Sequence, residues 1–254
     1  AHSQGIRVVM DIVMNHTGYE NIADAVEYGY GATGLSLSSA RGWKPSGGTY
    51  GDWDEVNDVF TGSWSTWWSA NWVRSSHYSN TGSSDLTLSV GCLPDIKTET
   101  TSNVGLAPLL QTKWASETSG YGDWIVPSAS TLRTDLGIAP ADYQVKWLAA
   151  WVEEFGIDGF RCDTAKHVDL YRWAQLKSAC NTALSAWRAS SKSSDDEARD
   201  WTDDFWMTAE VWGHGVGKSV LRQRFRLGDQ LYLPERQGRF FHRFDLGKLR
   251  VYAQ

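Results

Sequence analysis

A (β/α) barrel, partial within this chain and interrupted by a large irregular insertion, is the fold class the sequence predicts. Three observations predict it. Strand-like apolar runs end in ionisable groups, and helical periodicity fills the stretches between them after about residue 140. Residues 17 to about 139 show neither pattern and are rich in Gly, Ser, Thr, Asp and Trp. Alternating strands and helices, with chemistry gathered at the C-terminal strand ends, are the grammar of an α/β barrel.

The first element is the run Ile6 to Val13, β-branched and apolar, followed by the polar cluster Asn15-His16-Thr17. Such a run fits a strand buried on both faces of a parallel sheet, whose end delivers polar groups. The region 17–139 is too long for a structureless loop, so it reads as a small inserted subdomain with its own folding. Leu86 to Val90 is one of its strand-like pieces. Its tryptophans, Trp43, Trp53, Trp64, Trp67, Trp68 and Trp72, are read in two ways: as a local core, or as flat faces on which sugar rings stack. Next, Tyr143, Trp147, Leu148, Trp151, Val152 and Phe155 recur at helical spacing after Pro140, and Gly156 stands at the C-cap position. Ile157 to Asp163 is the following strand. A second helix places Trp173, Leu176, Cys180, Leu184 and Trp187 on one face, a polar connection spans Ser190 to Asp204, and Phe205 to Glu210 is the last clear strand.

Composition narrows the function classes. Residues 1–220 hold 16 basic and 27 acidic side chains, a sum of −11, whereas 221–254 hold 8 and 3, a sum of +5. An acidic body argues against a nucleic-acid partner, because nothing offsets repulsion from phosphates. No apolar run is long enough to span a membrane. Cys92, Cys162 and Cys180 have no metal-ligand spacing, and an odd number of thiols does not pair completely within one chain. The first seven residues carry no signal-peptide pattern, and the chain opens directly on a strand-like run, so it reads as a fragment. The arginine-rich, tryptophan-free tail, residues 221–254, reads either as a natural basic extension or, as preferred here, as a slip of reading frame between about Lys218 and Gly228, where charge and composition change abruptly.

Three strand ends carry candidate chemistry: Asp11 with Asn15 and His16; Arg161 with Asp163, Lys166 and His167; and Glu210. Strand alternation puts Arg161 and Asp163 on one side, so the guanidinium is expected to lower the Asp163 pKa and keep a nucleophile charged. Glu210 has no cation beside it in sequence and is flanked by Trp206, Met207, Val211 and Trp212. Apolar surroundings raise a carboxyl pKa and suit a proton donor. Two carboxyls pushed apart in this way match retaining glycoside hydrolysis, one attacking the anomeric carbon while the other protonates the leaving oxygen and then activates water. Asp11, in an apolar strand, needs a partner and reads as support for Arg161 or as a hydroxyl ligand.

These segments resemble the motifs of the α-amylase family. Asp11-Ile-Val-Met-Asn-His16 resembles its first motif and Gly159-Phe-Arg-Cys-Asp-Thr-Ala-Lys-His167 its second, which carries the nucleophile. Glu210 in Met-Thr-Ala-Glu-Val-Trp resembles the third, which carries the general acid/base, and Leu93-Pro-Asp-Ile96 the short motif near the end of the inserted domain. Phe205 to Val216 is similar to periplasmic members of the family. The resemblance implies a (β/α)8 TIM barrel, partial here, with an irregular inserted B domain. Residues 1–16 would give a barrel strand and the start of the insertion, 17–139 the B-like subdomain, 140–220 barrel helices and strands, and 221–254 the basic tail. It implies Asp163 and Glu210 as catalytic residues, and His16, Arg161, Lys166 and His167 as substrate-binding residues. His16 would bond a sugar hydroxyl, Arg161 would position Asp163, and Lys166 would line the leaving-group side. It further implies a calcium held by Asn15, Asp95 and the His167 carbonyl, oxygen ligands that suit a hard cation.

The implied activity is retaining hydrolysis of internal α-1,4-glucosidic bonds in starch, glycogen or maltodextrins. Its rivals are an α-glucosidase or glucan transglycosylase of the same family, and a non-catalytic carbohydrate-binding barrel module. The implied setting is a periplasmic or secreted monomer acting on α-glucan, with no nucleic acid and no membrane. The family's fourth motif, with a third carboxylate, has no match after Glu210, and its first two barrel strands have none before residue 1. The fragment by itself is therefore expected to be inactive.

Overall fold

The computed structural model describes residues 1–17, 26–27, 35–42, 68–74, 82–90, 93–117, 127–193 and 197–211, with backbone alone for 116–117, 127–128, 130, 241–243 and 249–252. Cys92, Trp43, Trp53, Trp64, Trp67, Trp212 and most of the basic tail lie outside the described residues. In chain order the elements are β1 (Val9–Ile12), α1 (Leu37–Arg41), β2 (Val73–Arg74), β3 (Asp95–Ile96), α2 (Pro108–Glu117), α3 (Pro140–Phe155), β4 (Gly159–Cys162), α4 (Leu170–Ala189), β5 (Trp206–Glu210), β6 (Phe241–Arg243) and β7 (Leu249–Tyr252), with 3-10 turns between some of them.

The chain divides into two units, one of residues 1–14, 126–129 and 144–254, the other of residues 15–125 and 130–143. The first holds a five-stranded sheet in the order β1-β4-β5-β7-β6. β1, β4, β5 and β7 run parallel, and β6 lies antiparallel at one edge. The sequence reading finds no strand in the tail, yet the tail backbone supplies β6 and β7. An antiparallel edge is also a departure from an all-parallel barrel, and among the described residues the sheet does not close.

The predicted helices form where periodicity puts them. α4 buries the stripe Trp173, Leu176, Cys180, Leu184 and Trp187, and the Asp169 carboxylate caps its first turn by accepting from the Tyr171 N–H at 3.3 Å. α3 ends at Gly156, whose φ of +65° stops the helix while its N–H still bonds the Val152 carbonyl at 2.9 Å. That glycine is obligatory on two counts, since an added Cβ would lie 2.4 Å from the Trp187 ring. Phe160 and Phe205, edge to face at 4.8 Å, fill the centre beside fully buried Met207. Cys162 and Cys180 are free, buried thiols whose pKa values burial pushes up, a structural rather than reactive setting.

The second unit has a core around Trp72, which is 1% exposed and packs against Tyr143 at 5.3 Å and Trp68 at 6.0 Å. Its indole N–H donates to the Gly105 carbonyl at 2.8 Å. Trp72 is thus local core, not a stacking face. Leu86–Val90 forms no strand. The Gly82 N–H bonds the Thr87 carbonyl, and the Thr87 and Leu88 N–H groups bond the Ser84 carbonyl, so turn bonds take up the backbone groups a ladder would need.

Candidate active site

Register brings the ionisable groups of the first unit together. Asp11 of β1 stands opposite Arg161 of β4, which stands opposite Thr208 of β5. Two residues further on, the same alternation carries Asp163 and Glu210 to the C-terminal ends of neighbouring strands, on the face that Asp11 and Arg161 occupy. The Arg161 guanidinium sits at the centre. Its Nη1 donates to both Asp11 oxygens at 2.9 and 3.0 Å and to Asp163 Oδ1 at 3.1 Å. Its Nη2 lies 2.5 Å from Glu210 Oε2. Burial works against the guanidinium's charge, but the hydrogen bond to Asp11 and the charges of Glu210, Asp11 and Asp163 outweigh it and raise its pKa. Side-chain exposure falls from 63% at Asp11 to 21% at Asp163 and 12% at Glu210, so the two candidate catalytic carboxyls are the more sheltered ones.

This corrects the electrostatic reading of the sequence. Arg161 was expected to hold Asp163 low and to leave Glu210 without a cation. Instead, Asp163 is pushed up to about 6, first by burial and then by the hydrogen bond and negative charge of Glu210, with Arg161 pulling the other way. The pull of a guanidinium shared with Asp11 and Glu210 does not offset the burial of Asp163 and the charge of Glu210 beside it. Asp163 and Glu210 share a hydrogen bond and titrate as a pair. Below about pH 6 Asp163 holds the proton that its hydrogen bond shares with Glu210.

Lys166 and His167 follow on the 3-10 turn Ala165–His167, with His167 buried and its N–H donating to the Thr164 carbonyl at 2.9 Å. Thr164, between Asp163 and that turn, has φ +49° and ψ +34°. This strain was not legible in the sequence, because Asp-Thr-Ala carries no turn signal of its own.

His16, Asn15 and Asp95 belong to the other unit. His16 Nδ1 donates to Asn15 Oδ1 at 2.5 Å. Backbone pairing sets Asn15 and His16 beside Asp95: His16 and Asp95 bridge, the Ile96 N–H bonds the Asn15 carbonyl, and the Thr17 N–H bonds the Pro94 carbonyl. Asp95 is fully buried. Arg74, which sequence reasoning did not single out, pairs with its Oδ2 at 2.7 Å and with Glu99 as well. Burial pushes the Asp95 carboxyl up to about 7 against the pull of Arg74. Its Oδ1 is buried with no hydrogen-bond partner among the described residues. That oxygen is one donor open to a hard cation, against the Arg74 guanidinium on the same carboxylate and the His16 bond on the Asn15 oxygen. No group of three or more His, Cys, Asp or Glu side chains suited to a metal occurs among the described residues.

No protein-family profile matches the chain. Two curated proteins are similar to it. The periplasmic alpha-amylase of Escherichia coli is 41% identical over 233 residues, which is 86% of this chain and 32% of that protein. An alpha-amylase of Streptomyces lividans is 39% identical over 101 residues, 39% of this chain and 9% of its own length. The chain thus spans about a third of the first relative and less of the second. A solved alpha-amylase from Geobacillus thermoleovorans, complexed with acarbose, aligns with 84% of this chain and 27% of its own, at a TM-score of 0.34 and 14% identity.

Proposed function

The chain belongs to the α-amylase family, and on that premise we propose that it carries the nucleophile and the general acid/base of a retaining hydrolase cutting internal α-1,4-glucosidic bonds in starch-type glucans. The observation that carries this reading is the Asp163–Glu210 pair. The two stand at the ends of adjacent parallel strands, share a hydrogen bond and hang on one guanidinium. Direct hydrogen bonding brings the two carboxyls closer than the roughly 6.5–9.5 Å that an inverting pair leaves for its water.

In the first step the ionised Asp163 carboxylate bonds to the anomeric carbon as that carbon's bond to the glycosidic oxygen breaks, and Glu210 gives the leaving oxygen its proton. In the second, Glu210 takes a proton from water, whose oxygen displaces Asp163 and regenerates the carboxylate. Arg161 holds both carboxyls on the reacting side of the sheet. Lys166 and His167 serve as sugar-contacting groups.

The architecture proposed around this pair is a (β/α)8 barrel, of which β1, β4 and β5 are strands, with residues 17–139 as the inserted domain. A calcium on Asn15 and Asp95 would brace the segment around them, a structural rather than chemical contribution. The setting proposed is periplasmic or secreted, as a monomer. Among the described residues no helix is long and apolar enough to cross a membrane. The test is reducing-sugar release from soluble starch by the complete gene product. Asp163→Asn and Glu210→Gln should each lower turnover by several orders of magnitude while glucan binding persists. Near-normal hydrolysis by either variant refutes the assignment.

A further inference from the structure

Among the described residues, only Ser69 and Thr164 combine a side chain with a positive φ. Ser69 lies in the other unit, whereas Thr164 follows Asp163 directly. Threonine is a poor residue for φ +49°, because its branched Cβ crowds the backbone in the left-handed region. The conformation is held from both sides. Before it, the Asp163 N–H donates to the Ile12 carbonyl of β1 at 2.9 Å, extending the ladder one residue past β4. After it, the buried indole N–H of Trp173 in α4 donates to the Ala165 carbonyl at 2.9 Å, and the His167 N–H closes the turn on Thr164. By Val168 the backbone is extended again.

A single left-handed residue therefore ends the strand immediately after Asp163. Asp163 keeps the register that sets it beside Glu210, while the chain reverses into the turn carrying Lys166 and His167. Strain of this kind persists only where the surroundings over-determine it, and it concentrates at working sites. We propose that Thr164 is a positioning residue whose left-handed backbone, rather than its hydroxyl, aims the Asp163 carboxyl at the reacting carbon. This rests on the reading of Asp163 as nucleophile.

The test compares Thr164→Gly, Thr164→Asn and Thr164→Val with wild type in the complete gene product, by kcat, KM and pH profile on soluble starch. Glycine and asparagine accept the left-handed region readily, and valine resists it most. Gly and Asn should keep kcat within about threefold, whereas Val should lower it about tenfold with KM within about twofold, because aim rather than affinity is disturbed. The acid limb of the Val profile should also move, a change that a purely structural role would not produce. A flat series overturns the inference and makes the turn merely structural. Losses in Gly and Asn as deep as in Val overturn it too, and assign the role to the hydroxyl. If wild type itself releases no sugar, the hydrolase reading falls. If wild type is active and the series is flat, only the inference about Thr164 falls.

Discussion

Removing the Arg161 cation should move the acid limb of activity to higher pH, and Arg161→Gln is the substitution that isolates this effect. The Asp163 carboxyl already stands at about 6, with Arg161 the pull that keeps it from rising further. A positive charge favours the ionised form, so its loss raises the pKa, and Asp163 then ionises only at higher pH. An opposite charge at this range shifts a carboxyl by roughly 1–3 units. The low end applies, because the arginine side chain is 34% exposed and is shared with Asp11 and Glu210. A shift of about one unit moves the limb from about 6 to about 7 and cuts the ionised fraction at pH 6 from about one half to about one tenth. The assay is kcat/KM on maltodextrin from pH 4.5 to 9, for wild type, Arg161→Gln and Arg161→Lys. The plateau of the Gln variant will fall as well, because Arg161 orients both carboxyls, but the limb position is independent of plateau height. Lysine keeps the charge and loses the fork that reaches several carboxylates at once, so its limb should move less while its plateau still drops. A limb that stays within about 0.2 unit of wild type in Arg161→Gln, or moves to lower pH, refutes this account of the cluster.

Three further outcomes follow from the same geometry. Asp163→Asn should raise the thermal midpoint at pH 7.5, because the fold disfavours the charge it removes. Since the folded pKa of about 6 lies above the ordinary 3.8, that gain should shrink as pH falls from 6 and vanish below about 4; a gain that grows on acidification contradicts the raised pKa. Gly156→Ala combines a left-handed backbone with a Cβ 2.4 Å from Trp187, so it should cost about 3 kcal/mol and lower the midpoint by about 6–12 °C. A drop under about 2 °C would show that the ring moves aside freely. Calcium should raise the midpoint of the complete gene product relative to chelator, by mass action on the folded state, and Asp95→Asn should abolish the difference; equal midpoints in wild type would remove the calcium from the proposal.

Much of the first unit was legible because long-period apolar patterns decide it. The stripe from Trp173 to Trp187 has one way to be buried, and Gly156 after Phe155 can only end a helix. Short irregular segments were not legible, since hydrogen bonds a few residues apart outweigh strand propensity there. Leu86–Val90 reads as a strand until the Ser84 carbonyl takes two of its N–H groups. The tail misled in the opposite direction. Leu249–Tyr252 pairs with β5 through backbone groups alone, so an arginine-rich composition did not exclude a strand.

The candidate site shows where the limit of one-dimensional reading falls. Arg161 and Asp163 are two apart in sequence, so their shared face follows from strand alternation. Glu210 lies 49 positions past Arg161, and only the pairing of Arg161 with Thr208 puts its carboxylate on the same guanidinium. Reasoning from sequence neighbours therefore assigned the cation to one carboxyl and apolar walls to the other. The sheet gives the cation to both, adds Asp11 as a third claimant, and sets the two catalytic candidates against each other. The pKa of Asp163 is then set first by burial and next by Glu210 from the adjacent strand, with Arg161 pulling the other way. That competition leaves Asp163 to gain or lose its proton near pH 6, beside a second carboxyl on the adjacent strand.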